Sequence, residues 1–159
     1  MSIEKVKEYL SRWGREKDVL EFPVSSATVE LAAQAVGVIP ARIAKTLTFK
    51  QADGAIVLVT AGDARIDNKK FKAALGLKPK MLSPEDALEL TGHAVGGVCP
   101  FALKNPLPVY LDVSMKRFNT VFPACGSSNS AIELTCDDLF TYSGALDWVD
   151  VCRDWQEEA

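Results

Sequence analysis

Lys45 is the residue whose type and place ask most of the chemistry around it. It lies in the run Ile43 to Lys50, which reads as a β-strand, and alternate side chains of a strand share a face. Ile43, Lys45, Leu47 and Phe49 therefore point one way, and Ala44, Thr46, Thr48 and Lys50 the other. An ammonium on the apolar side loses hydration unless something compensates it, and unpaired buried lysines are rare. Two resolutions stay open: entry into a concave site to meet an anionic ligand, or snorkelling to water at the end of a sheet.

A second feature is the run Thr91-Gly92-His93-Ala94-Val95-Gly96-Gly97-Val98-Cys99-Pro100. Its paired glycines, Gly96 and Gly97, let a backbone come close to a ligand and offer N–H donors. Such a loop suits a phosphate or the oxyanion of an ester. A plain turn, stiffened at its exit by Pro100, is the other reading. No GKS or GKT follows, so this is not a Walker loop.

Other reactive residues are few. His93 is the single histidine, which excludes a multi-histidine metal site and any two-histidine catalytic device. Cys99, Cys125, Cys136 and Cys152 form no CxxC pair, so a zinc ribbon or thioredoxin-like centre has no support. Cys99 is either a nucleophile or a small residue in a wall, and no evident base stands ready to activate it. Cys125 leads into Gly126-Ser127-Ser128-Asn129, a polar turn that either lines a pocket or merely joins strands.

The elements that must position these residues follow from periodicity and punctuation. Ile3, Val6, Leu10 and Trp13 recur at helical spacing, which predicts an amphipathic helix over 2–17. A short extended segment at 19–22 runs into Pro23. Ser25 and Ser26 offer caps for a helix through Val36 that Gly37 closes. The strand at 43–50 and a second at 55–60 join through Gln51-Ala52-Asp53-Gly54, a hairpin signal. The second strand, AIVLVT, is apolar on both faces and so belongs in a buried central position. Asp67 caps a helix over 68–75, and Ser83-Pro84 opens another that ends near Gly92. Extended runs follow at 107–113, 119–124 and 130–134, then a short helix near Cys136 and an acidic tail. This order favours an α+β fold with a mixed, barrel-like sheet flanked by helices, rather than a doubly wound parallel sheet.

Composition narrows the class. With 159 residues, 48% hydrophobic and 25% charged, the chain reads as one domain, 1–159, and not as a disordered, collagenous or coiled-coil protein. It shows no signal peptide and no apolar run of ~18 residues, so a cytoplasmic, membrane-free protein with free thiols is expected. The net charge of −3 hides an asymmetry. Residues 1–80 carry fourteen Lys/Arg against nine Asp/Glu, whereas residues 81–159 carry four against twelve. Arg42 to Lys80 alone is +6, which is either a solvated face or a local anion-binding surface.

Taken in order, Ala44-Lys45-Thr46-Leu47, Gly62-Asp63-Ala64-Arg65-Ile66-Asp67 and the Thr91–Pro100 loop resemble the YbaK/prolyl-tRNA synthetase-associated editing domain family. Val109-Tyr110-Leu111-Asp112, Cys125-Gly126 and Ala131-Ile132-Glu133-Leu134 fit its C-terminal half, so the match spans roughly 20–140. The resemblance implies a free-standing hydrolase, without metal or cofactor, that cleaves the ester of mischarged aminoacyl-tRNA, usually tRNA(Pro). Prolyl-tRNA synthetase is then an implied partner, and the oligomeric state stays open. By motif match Lys45 takes the place of the family's essential lysine, and Gly96-Gly97-Val98-Cys99-Pro100 that of its GxxxP loop. Lys45 would pair with the 3′-terminal phosphate, and the N–H groups of Gly96 and Gly97 would hold the carbonyl. His93, Asp112, Gly126 and Ser127 become candidate substrate contacts, and Lys69, Lys70 and Lys72 candidates for the acceptor stem. Val98 and Cys99 as pocket walls imply a small side chain: alanine, cysteine, serine or threonine. Glu21-Phe22-Pro23-Val24 departs from the aromatic and histidine pattern of cysteinyl-specific members, which leaves the amino acid open.

Overall fold

The computed structural model describes residues 2–52 and 54–155. Its first helix, α1 (Ser2–Leu10), buries Val6 and Leu10 completely. The sequence predicts a helix to residue 17, but the chain breaks into tight turns at Ser11–Trp13 and Glu16–Asp18. Gly14, at φ +69°, ends the first of these by donating its N–H to Ser11 O, a conformation glycine adopts without penalty. Trp13 remains in the apolar pattern, its ring 4.4 Å from that of Tyr142.

Strand β1 (Leu20–Glu21) leads to α2 (Val29–Val36). Thr28 caps α2, its Oγ1 accepting from Leu31 N–H, rather than Ser25 or Ser26. Ser26 is turned instead towards Ser128 O. Next come β2 (Ile43–Gln51) and β3 (Gly54–Ala61), an antiparallel pair whose register closes at Gln51↔Gly54. Of the expected turn, Asp53 lies outside the described residues. After β4 (Arg65–Ile66) come α3 (Asn68–Leu75), capped by Asp67, and α4 (Pro84–Thr91), capped by Ser83, both as the sequence predicts. The rest is β5 (Val109–Asp112), β6 (Thr120–Pro123), β7 (Ser130–Ala131), β8 (Leu134–Thr135), α5 (Cys136–Ser143), β9 (Asp147–Val149) and β10 (Cys152–Arg153).

Six strands form one mixed sheet in the order β8-β6-β2-β3-β5-β9, curled into a half-barrel and flanked by helices. Strand β3 lies between β2 and β5 and is buried from Ala55 onward, as its doubly apolar sequence requires. The run at 130–134 is divided: β7 pairs with β1 in a separate ribbon, while β8 pairs with β6. The short strands β9 and β10 escape the sequence reading because two or three residues carry too little period to register. Among the described residues no helix is long and apolar enough to cross a membrane.

The turn after β3 is pressed against α2. There the chain doubles back through Gly62, where a Cβ would lie 2.2 Å from Pro40 O and 2.7 Å from Val29 Cγ1. No side chain fits, so the turn sits against α2 and the Pro40 backbone at a distance that glycine alone permits. Gly62→Ala is expected to lower stability by about 1–3 kcal/mol through overpacking. A shift in the urea midpoint at unchanged slope is the measurement; an unchanged midpoint would show that the turn relaxes freely.

Candidate functional site

Strand β2 has neighbours along both edges, but not everywhere. On one edge it pairs with β3 throughout. On the other, β6 runs parallel to it as far as Ala44↔Pro123, and the segment before α4 rejoins it at Thr48, whose carbonyl accepts from Leu82 N–H. Between them a cavity of about 300 Å3 opens beside Lys45, Thr46 and Leu47. Its other walls are the residues 26–29 leading into α2, the loop residues Val95, Gly96 and Val98, and Ser130. Proline bounds the gap at each end: Pro123 closes β6, and Pro84 starts α4 and turns the chain away.

Lys45 is half-buried at this cavity. Its Nζ donates to Ala64 O at 2.6 Å and to Gly62 O at 3.5 Å, both on the turn that Gly62 packs against α2. Among the described residues no carboxylate forms an ion pair with it. Burial lowers its pKa from the usual lysine value, and nearby Cys152 and Asp63 offset part of that. Two carbonyls orient the ammonium while leaving its charge uncompensated, which is a receptive state for an anion.

The loop is built differently from the expectation. Gly96, at φ +92°, lines the cavity, and a Cβ there would sit 3.0 Å from Ala27 Cβ. Gly97 faces away: its N–H already donates to Ala94 O, and a Cβ would lie 2.7 Å from Ser127 N. Gly126 and Ser127 therefore support the loop from behind, Ser127 Oγ lying 2.7 Å from Ser130 Oγ, and it is Ser130 that reaches the cavity wall. Val98 lines the cavity, whereas Cys99 and Pro100 are buried beyond it.

His93 is 1% exposed and stands outside the cavity lining. Its Nε2 lies 2.7 Å from Phe101 O, a carbonyl that can only accept, so Nε2 carries the proton and Nδ1 accepts from the Ser2 hydroxyl. Burial lowers its pKa, with the Phe101 bond opposing. Cys99 Sγ is 3.6 Å from that same Nε2, but a nitrogen that donates its proton elsewhere is no base for a thiol. Burial pushes the Cys99 thiol up to about 12. A cysteine nucleophile has no support in this geometry.

Asp112 is fully buried, its carboxylate accepting from Ser114 N–H and Val151 N–H, each at 2.9 Å. It ties β5 to the chain entering β10, two strands away from β2. On α3, Lys69 and Lys72 are exposed, and Lys70 pairs with Asp150 at 3.2 Å. The cavity also recruits residues that carry no chemical signature in the sequence, above all Thr46, Ala27 and Val29. Among the described residues no group of three or more His, Cys, Asp or Glu side chains could hold a metal ion.

With this geometry in view, residues 24–142 match the family model described as "Aminoacyl-tRNA editing domain". The chain belongs to this family. It is 56% identical over 157 residues to the uncharacterized protein YwhH of Bacillus subtilis (strain 168), covering 98% of this chain and 100% of that protein. It is 35% identical over 92 residues to a proline–tRNA ligase of Thermosipho melanesiensis, covering 57% of this chain and 16% of the ligase. A solved structure described as a candidate trans-editing enzyme for prolyl tRNA synthetase superimposes with a TM-score of 0.86 at 33% identity, over 96% of this chain and 97% of the other. The matched residues agree with the sequence resemblance, and the solved structure agrees with both the resemblance and the half-barrel fold.

A neutral buried His93 has a measurable consequence. Its folded pKa lies below the ordinary 6.5, so the unfolded chain binds the proton more readily. Stability is therefore complete above that value and falls as the pH drops through the folded pKa. The thermal midpoint is expected to decline from about pH 7.5 to about pH 5.5. His93→Gln should lower the midpoint overall, by about 1–3 kcal/mol of stability, and flatten that decline. An unchanged pH slope in the variant would place the titrating group elsewhere.

Proposed function

We propose that this protein is a single-domain editing hydrolase that cleaves the ester of mischarged aminoacyl-tRNA, tRNA(Pro) carrying a small wrong amino acid being the substrate class. The observation that carries the reading is that Lys45, without an ion-pair partner among the described residues, lines the same cavity as the Gly96 loop. The family membership and the likeness to proline–tRNA ligases support it.

The chemistry asks little of the protein. An aminoacyl ester is already activated, so placing a water against the acyl carbon, with the free terminal ribose hydroxyl beside it to orient that water, accounts for most of the acceleration. The water oxygen bonds to that carbon, the ester C–O bond breaks, and the ribose oxygen takes a proton. Lys45 anchors the 3′-terminal phosphate. Gly96 is the loop glycine at the cavity wall, and its N–H is the one we assign to the carbonyl oxygen, Gly97 having spent its own on Ala94 O. Neutral, buried His93 and the protonated Cys99 thiol play no chemical part.

Size supplies the selection. Ala32, Ala87 and Val98 in the wall of a cavity of about 300 Å3 suit a short side chain. A synthetase pocket discriminates weakly between side chains that differ by a methylene, which is why a second hydrolytic site is useful. We assign the exposed Lys69 and Lys72 to the acceptor stem, an interaction that salt weakens.

Deacylation of tRNAs charged with Ala, Cys, Ser, Thr and Pro is the test. At least one small non-prolyl ester should be lost, and Lys45→Ala should reduce kcat/KM by roughly 10²-fold, comparable to removing one transition-state donor. Cleavage of no ester would leave a binding module. Unimpaired cleavage by Lys45→Ala would remove the lysine from its assigned role.

A further inference from the structure

We infer that the open edge of β2 at Thr46 is a main-chain docking site for the aminoacyl group itself, which pairs there as though it were one residue of an added antiparallel strand. The inference rests on the editing reading and names how the same cavity holds the reacting end of its substrate.

The geometry follows from the ladder. In an antiparallel strand, successive residues turn their N–H and C=O groups alternately to one neighbour and then the other. On β2 the even residues face away from β3: Lys50 N–H donates to Lys80 O, and Thr48 O accepts from Leu82 N–H. Thr46 has the same parity, so its N–H and C=O also point away from β3. On that side β6 has already ended at Ala44↔Pro123, and the pre-α4 segment has not yet begun. Among the described residues the Thr46 N–H and C=O have no backbone partner, and Thr46 lines the cavity. Its hydroxyl is also buried without a partner. Backbone donors and acceptors withdrawn from water are almost always paired, so an unpaired peptide at a cavity wall is a position that a ligand can complete.

An aminoacyl ester has the matching groups. Its amine and its carbonyl stand on one α-carbon, as in a strand residue, and a hydrogen-bonded antiparallel pair exchanges two N–H···O bonds between two such residues. The substrate α-ammonium donates to Thr46 C=O, and the ester carbonyl accepts from Thr46 N–H as a second donor beside the Gly96 N–H. This is strand addition shortened to a single residue. It orients the carbonyl next to Lys45, which follows the register of the same strand, and it serves any α-amino acid equally. Side-chain choice is left to the apolar walls.

The edge makes the test practicable, because proline is tolerated where an N–H faces away from the ladder, and the preceding Lys45 is already extended. Thr46→Val keeps the N–H and removes the hydroxyl; Thr46→Pro removes the N–H as well. With tRNA(Pro) charged with alanine as probe, kcat/KM should fall at least ~10-fold further for T46P than for T46V, with thermal midpoints alike. Equal rates for the two variants would overturn the inference. Should T46P fail to fold, wild-type protein can be titrated with the non-hydrolysable amide 3′-alanylamino-3′-deoxyadenosine and with its propionyl counterpart, which lacks the amine. The alanyl compound should bind at least ~10-fold tighter, and equal affinities would overturn the inference. This binding ratio is independent of turnover. Failure of the wild-type protein to cleave any ester would count against the editing reading alone.

Discussion

Strand β2 is asked to pair along both edges, and it does so at every residue except around Thr46. Its inner edge belongs to β3 over the full hairpin. Its outer edge is divided between β6 and the segment before α4, and each is turned away by a proline, Pro123 on one side and Pro84 on the other. The cavity exists because those two partners do not meet. An unpaired peptide inside a sheet is costly, so the gap is a feature that the surrounding structure must sustain. It does so with α2 on one wall and the Gly96 loop on another.

Lys45 follows from the same arrangement. Placed on a strand whose neighbouring side chains, Ile43 and Phe49, are buried, its ammonium would be unfavourable in any closed sheet. The Gly62 turn resolves this by bringing two carbonyls to Nζ, while its Asp63 carboxylate pairs with Arg117 instead. That turn itself depends on glycine, since a methyl group would collide with Pro40 O and Val29. The charge is thus oriented by dipoles and left for something else to neutralise. Carboxylate pairing would have made the lysine a structural residue.

The paired glycines show how one motif can hold two different constraints. Gly96 meets Ala27 across the cavity wall, and Gly97 meets the Gly126–Ser127 backbone on the far side. Both positions exclude a side chain, but only Gly96 borders the cavity. The residues after them divide likewise: Val98 is in the wall, while Cys99 is packed behind it with His93. His93 and Asp112 look reactive in a sequence because their types are reactive. In the fold each has its hydrogen-bonding capacity taken up by the main chain or by Ser2, and burial keeps His93 neutral.

Local chemistry is written in the sequence by itself: Asp67 and Ser83 as caps, the β2–β3 hairpin, the buried character of β3, and an ill-placed lysine at 45 within an ordered set of family motifs. Each of these depends on residues near one another along the chain, where propensity and period speak directly. Tertiary structure alone decided which members of the Thr91–Pro100 run reach the cavity, that Asp112 clamps β5 to the chain entering β10, and that Thr46 keeps an open peptide. Those outcomes turn on where β6, α2 and α4 stop relative to β2, and a strand's own sequence does not record where its neighbours end. Thr46 looks ordinary in the sequence because an open strand edge is a property of the neighbours and not of the residue.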